Sequence, residues 1–170
     1  MNTSQSKIKD AINFGKSLVG IPYGWWTGGD CDIKGPMWAE NGPVPKNINS
    51  CNCAGLANLI LRYMNKELPY IENITIGGTL SYFTYYESVS EPFDIDKTYP
   101  IGTLLMRNFR DIDDQGHVAI IIENTGKTSK VLQSHIDHTT NGVNIDYSVE
   151  ESHCGDYYEK IVLPENWLIN

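Results

Sequence analysis

The sequence predicts an α+β fold, with N-terminal helices packed on an antiparallel β-sheet. Three observations point there. Apolar residues at helical spacing occur in the first half of the chain. Short β-branched runs divided by turn residues fill the second half. Helices first and strands after is the order of α+β chains, not of alternating α/β chains. The 170 residues suit one compact domain spanning residues 1–170. That length buries a core without disulfides or metals.

The elements follow in order. Ile8, Ala11, Ile12, Leu18 and Val19 lie near helical spacing, which predicts a first helix over residues 6–19. "GIPYGWWTGG" closes it with Gly and Pro. From Thr27 to Ser50 the chain is rich in Gly, Pro and Asn and predicts a long loop, with Met37 and Trp38 as its apolar members. Loops of that length inside a domain are usually functional or mobile. In "CNCAGLANLILRYM", residues 51–64, Leu56, Leu59, Ile60, Tyr63 and Met64 keep the i, i+3, i+4, i+7, i+8 pattern, so a second helix runs there until "NKELP". Residues 73–90 fit either an aromatic-lined helix or an irregular segment. Then the period changes. "GTLLMRNF" (102–109) and the β-branched "HVAIIIE" (117–123) read as strands, "NTGKTS" as a turn and "KVLQSHI" (130–136) as the returning strand. "GVNIDYS" and "YYEKIVL" predict two more.

Composition narrows the partners. Hydrophobic residues make up 41% and charged residues 20%, an ordinary globular balance, and the formal charge is −8. That charge disfavours nucleic acid, whose phosphates require basic patches, and an anionic membrane surface. No uninterrupted apolar run reaches the ~18 residues of a membrane-spanning helix, so no membrane insertion is expected. "MNTSQSKIKDAINFGKSLVG" lacks an apolar signal core and a small-residue cleavage site. The expected location is the cytoplasm, or a virus particle or an exterior reached by a route not encoded here. Cys31, Cys51, Cys53 and Cys154 are too few for a disulfide scaffold and are thiols in a reducing compartment. A Cys31–Cys51 pair under oxidising conditions stays open.

The chemistry begins at Cys53. It heads the second helix, where unpaired N–H groups and the positive end of the dipole favour a thiolate. Positions 53, 56 or 57, and 60 share a face, so Cys53 points to what the helix packs on, while Cys51 falls outside that face and belongs to the loop. The plain alternative for Cys53 is a small buried hydrophobe. A nucleophilic thiol needs a base, and the chain offers His117, His135, His138 and His153. His117 opens the most buried-looking strand, after the polar turn "DIDDQG", and can face the helix start across a sheet edge. The alternative is a strand-end imidazole in solvent. Such a base takes the thiol proton and later protonates the leaving amine. Gln133 and His135 alternate onto one face of the next strand and are the candidates to orient it.

Other chemistries fit less well. Cys51-x-Cys53 with His135-x-x-His138 does not have zinc spacing. "NTGKTS" lacks the first P-loop glycine, because Ile121 stands five residues before Gly126. The carboxylates of "DIDDQ" lack the calcium-loop series and read as a solvated turn. No metal or organic cofactor is required.

Three segments, in order, resemble the NlpC/P60 cysteine peptidases, a papain-like family. "GIPYGWW" is similar to its Gly-x-Pro-Tyr-x-Trp-Gly segment. "NCAGLANLILR" is similar to its Asp-Cys-Ser-Gly-Leu-Val helix start. "IGTLLMR…QGHVAIIIENTGKTSKVLQS" is similar to its Gly-Asp-Leu, His-Val-Gly-Ile-Tyr and hydrophobic-His-Ala series. The likeness spans roughly residues 15–145. It implies a papain-like domain that cleaves an amide, with Cys53 as nucleophile and His117 as base. The third polar residue falls on Gln133 by pattern, while His135 is the more usual residue type; Gln133 is favoured. Tyr23 falls on the tyrosine near the substrate amine. A peptide of peptidoglycan type is the implied substrate. Asn52 stands where the family keeps a carboxylate that helps bind the stem peptide's free α-amine, and an amide cannot supply that charge. Ala54 replaces the small Ser after the nucleophile, and Thr103 replaces the acid of Gly-Asp-Leu. Two other readings remain: an acyltransferase or lipid amide hydrolase on the same fold, and a catalytically idle relative that binds a glycan or protein.

Overall fold

The computed structural model describes residues 3–24, 39–73, 75–111, 113–152 and 158–170. Residues 27–38 of the predicted long loop, with Cys31, Met37 and Trp38, lie outside the described residues, as do His153 and Cys154.

The first helix, α1, runs Thr3–Ser17 and buries Ala11, Ile12 and Gly15. It begins before the predicted boundary, because residues 3–5 are polar and carry no periodic signal, yet they are compatible with a helix. The second, α2, runs Cys53–Tyr63, and every residue from Cys53 to Arg62 is buried. Its neighbours enclose it on all sides, which exceeds the one-sided burial that the apolar spacing alone requires. Tyr63 departs from the expected inner face: it is exposed and stacks on Phe14 at 4.3 Å between ring centroids. The described end of the long loop is clipped to α2. Arg62 donates through Nε to the Gly42 carbonyl at 3.0 Å and through Nη2 to that of Pro43.

Residues 73–90 resolve into several short pieces. A two-residue hairpin, β1 (Tyr70–Ile71) with β2 (Thr75–Ile76), leads into α3 (Thr79–Tyr85) and a 3-10 turn at Glu87–Val89. A buried polar trio fastens this unit to α2. Asn58 donates from Nδ2 to the Gly77 carbonyl at 2.8 Å, and Tyr82 Oη donates to Asn58 Oδ1 at 2.8 Å. Fully satisfied buried networks of this kind fix a single packing.

The remaining strands are β3 (Ser90–Pro92), β4 (Leu104–Arg107), β5 (His117–Ile121), β6 (Val131–Ile136), β7 (Asn141–Asn144) and β8 (Lys160–Val162). They form one sheet in the order β3-β8-β4-β5-β6-β7, antiparallel at every neighbouring pair. The predicted α+β class therefore holds. Strand alternation sorts the side chains. Leu104, Met106, Val118, Ile120, Leu132 and Val143 join the helices in the main core. Leu105, Ala119, Ile121, Val131 and Ile161 join Tyr99, Val149 and Tyr158 in a second, smaller core on the other face. Burial on both faces explains why "HVAII" reads as a continuous apolar run with no polar alternation. The C-terminal Glu165–Ile169 forms a π-helical turn that buries Trp167, whose Nε1 donates to the Gly102 carbonyl at 2.8 Å.

One further pairing carries "GIPY" to the site. Gly20 N–H donates to the Val143 carbonyl at 2.9 Å, and Val143 N–H to that of Ile21 at 2.9 Å. The segment thus lies along the free edge of β7. Tyr23 then forms an isolated parallel bridge with Cys51.

Candidate active site

Cys53 is the first residue of α2, and Asn52 is its N-cap. Asn52 Oδ1 accepts from the Gly55 N–H at 2.7 Å, and the Asn52 carbonyl accepts the first helical bond from Leu56 at 3.0 Å. The backbone N–H of Cys53 lies outside the helical ladder, as it does at any first helical position. Cys53 is buried, yet it belongs to neither hydrophobic cluster.

Two neighbours differ in how they relate to it. Tyr23 lies within electrostatic reach of Cys53. Burial first, then the charges that Cys53 and Cys51 would carry, hold its phenol well above the usual range, so it stays protonated. Its backbone N–H donates to Asn141 Oδ1 at 3.2 Å. Cys51 lies before α2 and outside the named strands, as expected, but it is a fully buried member of the main core. The bridge to Tyr23 draws it inward, with Gly24 N–H donating to its carbonyl at 3.2 Å and its own N–H donating to Pro22 at 3.1 Å. Burial pushes its thiol up to about 12, so it stays neutral.

The imidazole half of the site stands on β5 and β6. His117 is the first residue of β5, and its Nε2 is 2.8 Å from Gln133 Oε1, with both side chains buried. A carboxamide oxygen only accepts, so Nε2 carries the proton and Nδ1 is left as the acceptor. Of the two candidates on β6, Gln133 is the one within hydrogen-bond distance of His117. His135 stands edge-on to His117, with ring centroids 5.7 Å apart and planes at 82°. Tyr158 flanks His117 at 6.2 Å. Just upstream, Gly116 has φ +77, and a Cβ there would lie 2.5 Å from the Arg107 carbonyl oxygen, so the tight entry to His117 depends on glycine. In the turn "DIDDQ", Asp111 and Asp113 are exposed, as a solvated turn requires, and Asp114 and Gln115 are half-buried. Arg107 and Arg110 both pair with Asp114, and Thr79 Oγ1 at the start of α3 donates to the Gln115 carbonyl.

Ser134 joins the two halves. Lying between Gln133 and His135 in β6, it donates from Oγ to the Cys51 carbonyl at 2.7 Å, buried. Strand alternation puts Ser134 on the helix side and puts His117, Gln133 and His135 on the opposite face. His117 stands at the end of β5. Ser134 and the Asp137–Tyr147 pair described below were not singled out from sequence. Ser134 reads there only as a small residue in a pattern. Among the described residues, no group of three or more His, Cys, Asp and Glu could hold a metal ion, and no helix is long and apolar enough to cross a membrane.

No family model and no curated protein matches the sequence. The fold does have a solved counterpart. A protein from Staphylococcus aureus subsp. aureus Mu50, described as similar to a lipoprotein of the NLP/P60 family, aligns with a TM-score of 0.52. The alignment covers 96% of this chain and 42% of that one, at 12% identity. The likeness is one of fold: this chain has the helix-and-antiparallel-sheet architecture of an NlpC/P60-like domain and spans less than half of that protein.

Proposed function

We propose that this chain is a thiol hydrolase, a cysteine peptidase or amidase of papain-like type. The observation that carries the reading is the buried His117–Gln133 hydrogen bond at 2.8 Å. It leaves Nδ1 of the His117 ring on β5 as a proton acceptor, and the next strand, β6, carries both Gln133 and the Ser134 that bonds the Cys51 carbonyl two residues before Cys53. In the proposed cycle His117 Nδ1 takes the Cys53 proton and the thiolate attacks the amide carbonyl. The tetrahedral oxyanion is stabilised by the Cys53 backbone N–H at the start of α2. His117 then gives the proton to the leaving amine, and water releases the acyl group from the sulfur by the reverse sequence. Tyr23 lines the acyl side as a neutral phenol.

The proposed substrate is a peptide of the peptidoglycan-derived kind. A second reading, an acyltransferase or lipid amide hydrolase, is favoured by Asn52: its Oδ1 is already committed to Gly55, and it carries no charge for a free amine. Purified Cys53→Ala and Cys51→Ala variants assayed on digested peptidoglycan and on neutral N-acyl amides test both readings. Cys53→Ala abolishes turnover, and Cys51→Ala keeps most of it. Equal losses in the two variants, or none in either, would defeat the assignment. Turnover of the N-acyl amides alone would select the second reading.

A further inference from the structure

We propose that His135 and Asp137 form an outer imidazole–carboxylate pair that keeps His117 neutral and able to act as a base. The proposal rests on His117 being the base. His135 is buried, and its Nδ1 is 3.6 Å from Asp137 Oδ2. Asp137 is itself held firmly. Its Oδ1 accepts from the N–H groups of Thr139 and Thr140, each at 2.7 Å, and from their hydroxyls at 2.9 and 3.1 Å. Its Oδ2 accepts from Tyr147 Oη at 2.8 Å. The Tyr147 ring stands 6.4 Å from the His135 ring, at 76°. These bonds, those from Thr139 and Thr140 before that from Tyr147, hold the Asp137 carboxyl far below the usual range, so it is anionic whenever an imidazole titrates.

The two imidazoles therefore have unequal partners. His135 faces a carboxylate, and His117 faces a neutral carboxamide oxygen. A proton added to the pair goes first to His135, where the opposite charge stabilises it. A second proton on His117 then meets a like charge 5.7 Å away, ring to ring. Interacting groups of this kind titrate as a coupled pair, with the second step displaced to lower pH. The titratable groups facing His135 include His117 from β5, Asp137 from the turn between β6 and β7, and Tyr147 beyond β7, while Tyr158 flanks His117 and Cys53 is its proposed partner. The partner of His135 on β7 is Gly142. His135 is in this sense a positioning residue: it acts through His117.

The test follows the His117 ring by NMR across pH, with its signals assigned from the spectrum of His117→Ala. A neighbouring positive charge lowers the pKa of an imidazole, so removing it must raise that pKa. His135→Asn raises the His117 midpoint by about one pH unit. The acid limb of kcat/KM moves up with it. Asp137→Asn keeps an acceptor for Thr139 and Thr140 but removes the anion that favours a proton on His135, so the His135 midpoint falls. It carries the test if His135→Asn does not fold. A His117 midpoint that stays put in His135→Asn, or a His135 midpoint that stays put in Asp137→Asn, with turnover still dependent on Cys53, would overturn the outer pair and leave the hydrolase intact. Turnover independent of Cys53 would remove the hydrolase itself.

Discussion

Asn52 precedes the proposed nucleophile, and its position defines two separate consequences of changing it. Its Oδ1 caps α2 through Gly55, so Asn52→Ala removes a cap worth about 1 kcal/mol and lowers the melting temperature. Asn52→Asp keeps the cap and adds a negative charge beside Cys53. An adjacent anion disfavours the thiolate, so alkylation of Cys53 by iodoacetamide at neutral pH slows in the Asp variant and keeps its rate in the wild type. An unchanged rate would show that Asn52 and the sulfur do not sense one another. At this scale the sequence was informative about residue types but silent about partners. That Cys53 heads a helix follows from apolar spacing alone. That Gln133 rather than His135 bonds His117 does not, because both lie on the same face of β6 and only the distance separates them. The burial of Cys51 was not legible, because a residue just before a helix reads as loop, whatever strand edge draws it inward.

Among the elements, β7 and the segment after α1 are the most interdependent. Gly142 has φ +120, and a Cβ there would lie 2.0 Å from the Ile21 carbonyl oxygen. Gly142→Ala therefore pushes the Ile21–Tyr23 segment off the sheet edge, and with it the bridge that seats Cys51. The expected outcome is lower thermal stability and a loss of turnover out of proportion to it, read by calorimetry and assay on one sample. A variant that is as active and stable as the parent contradicts this coupling. The helix α2 was legible because its apolar period is long and unbroken. The pieces between residues 66 and 92 were not, since runs of two to seven residues carry too little periodicity to separate helix from strand. The edge strand β3 is three residues with a proline, a pattern that mimics loop.

The whole molecule is a sheet with two covered faces, and the site draws on both. Cys53 stands on the first turn of α2, and strand alternation puts His117, Gln133 and His135 on the face of the smaller core. Helices before strands made the α+β class readable from the chain, and the likeness of the fold to an NLP/P60 protein agrees with it. The distribution of the site across two faces was not readable, because it depends on strand register and on the Ser134–Cys51 bond between residues 83 positions apart. Burial also sets a pH dependence. The Cys51 pKa, raised to about 12 in the folded protein, lies above the ~8.5 of an unfolded thiol, so the stability it supports is complete below that lower value and is lost as pH rises beyond it. The central claim is that Cys53 is activated by His117. Its most direct measurement is labelling with an electrophilic thiol probe at pH 7, with the modified cysteine located by mass spectrometry in the wild type and in His117→Ala. The account predicts labelling at Cys53 and not at Cys51, falling at least tenfold in the His117 variant. Labelling of Cys53 that ignores His117, or that prefers Cys51, would contradict it.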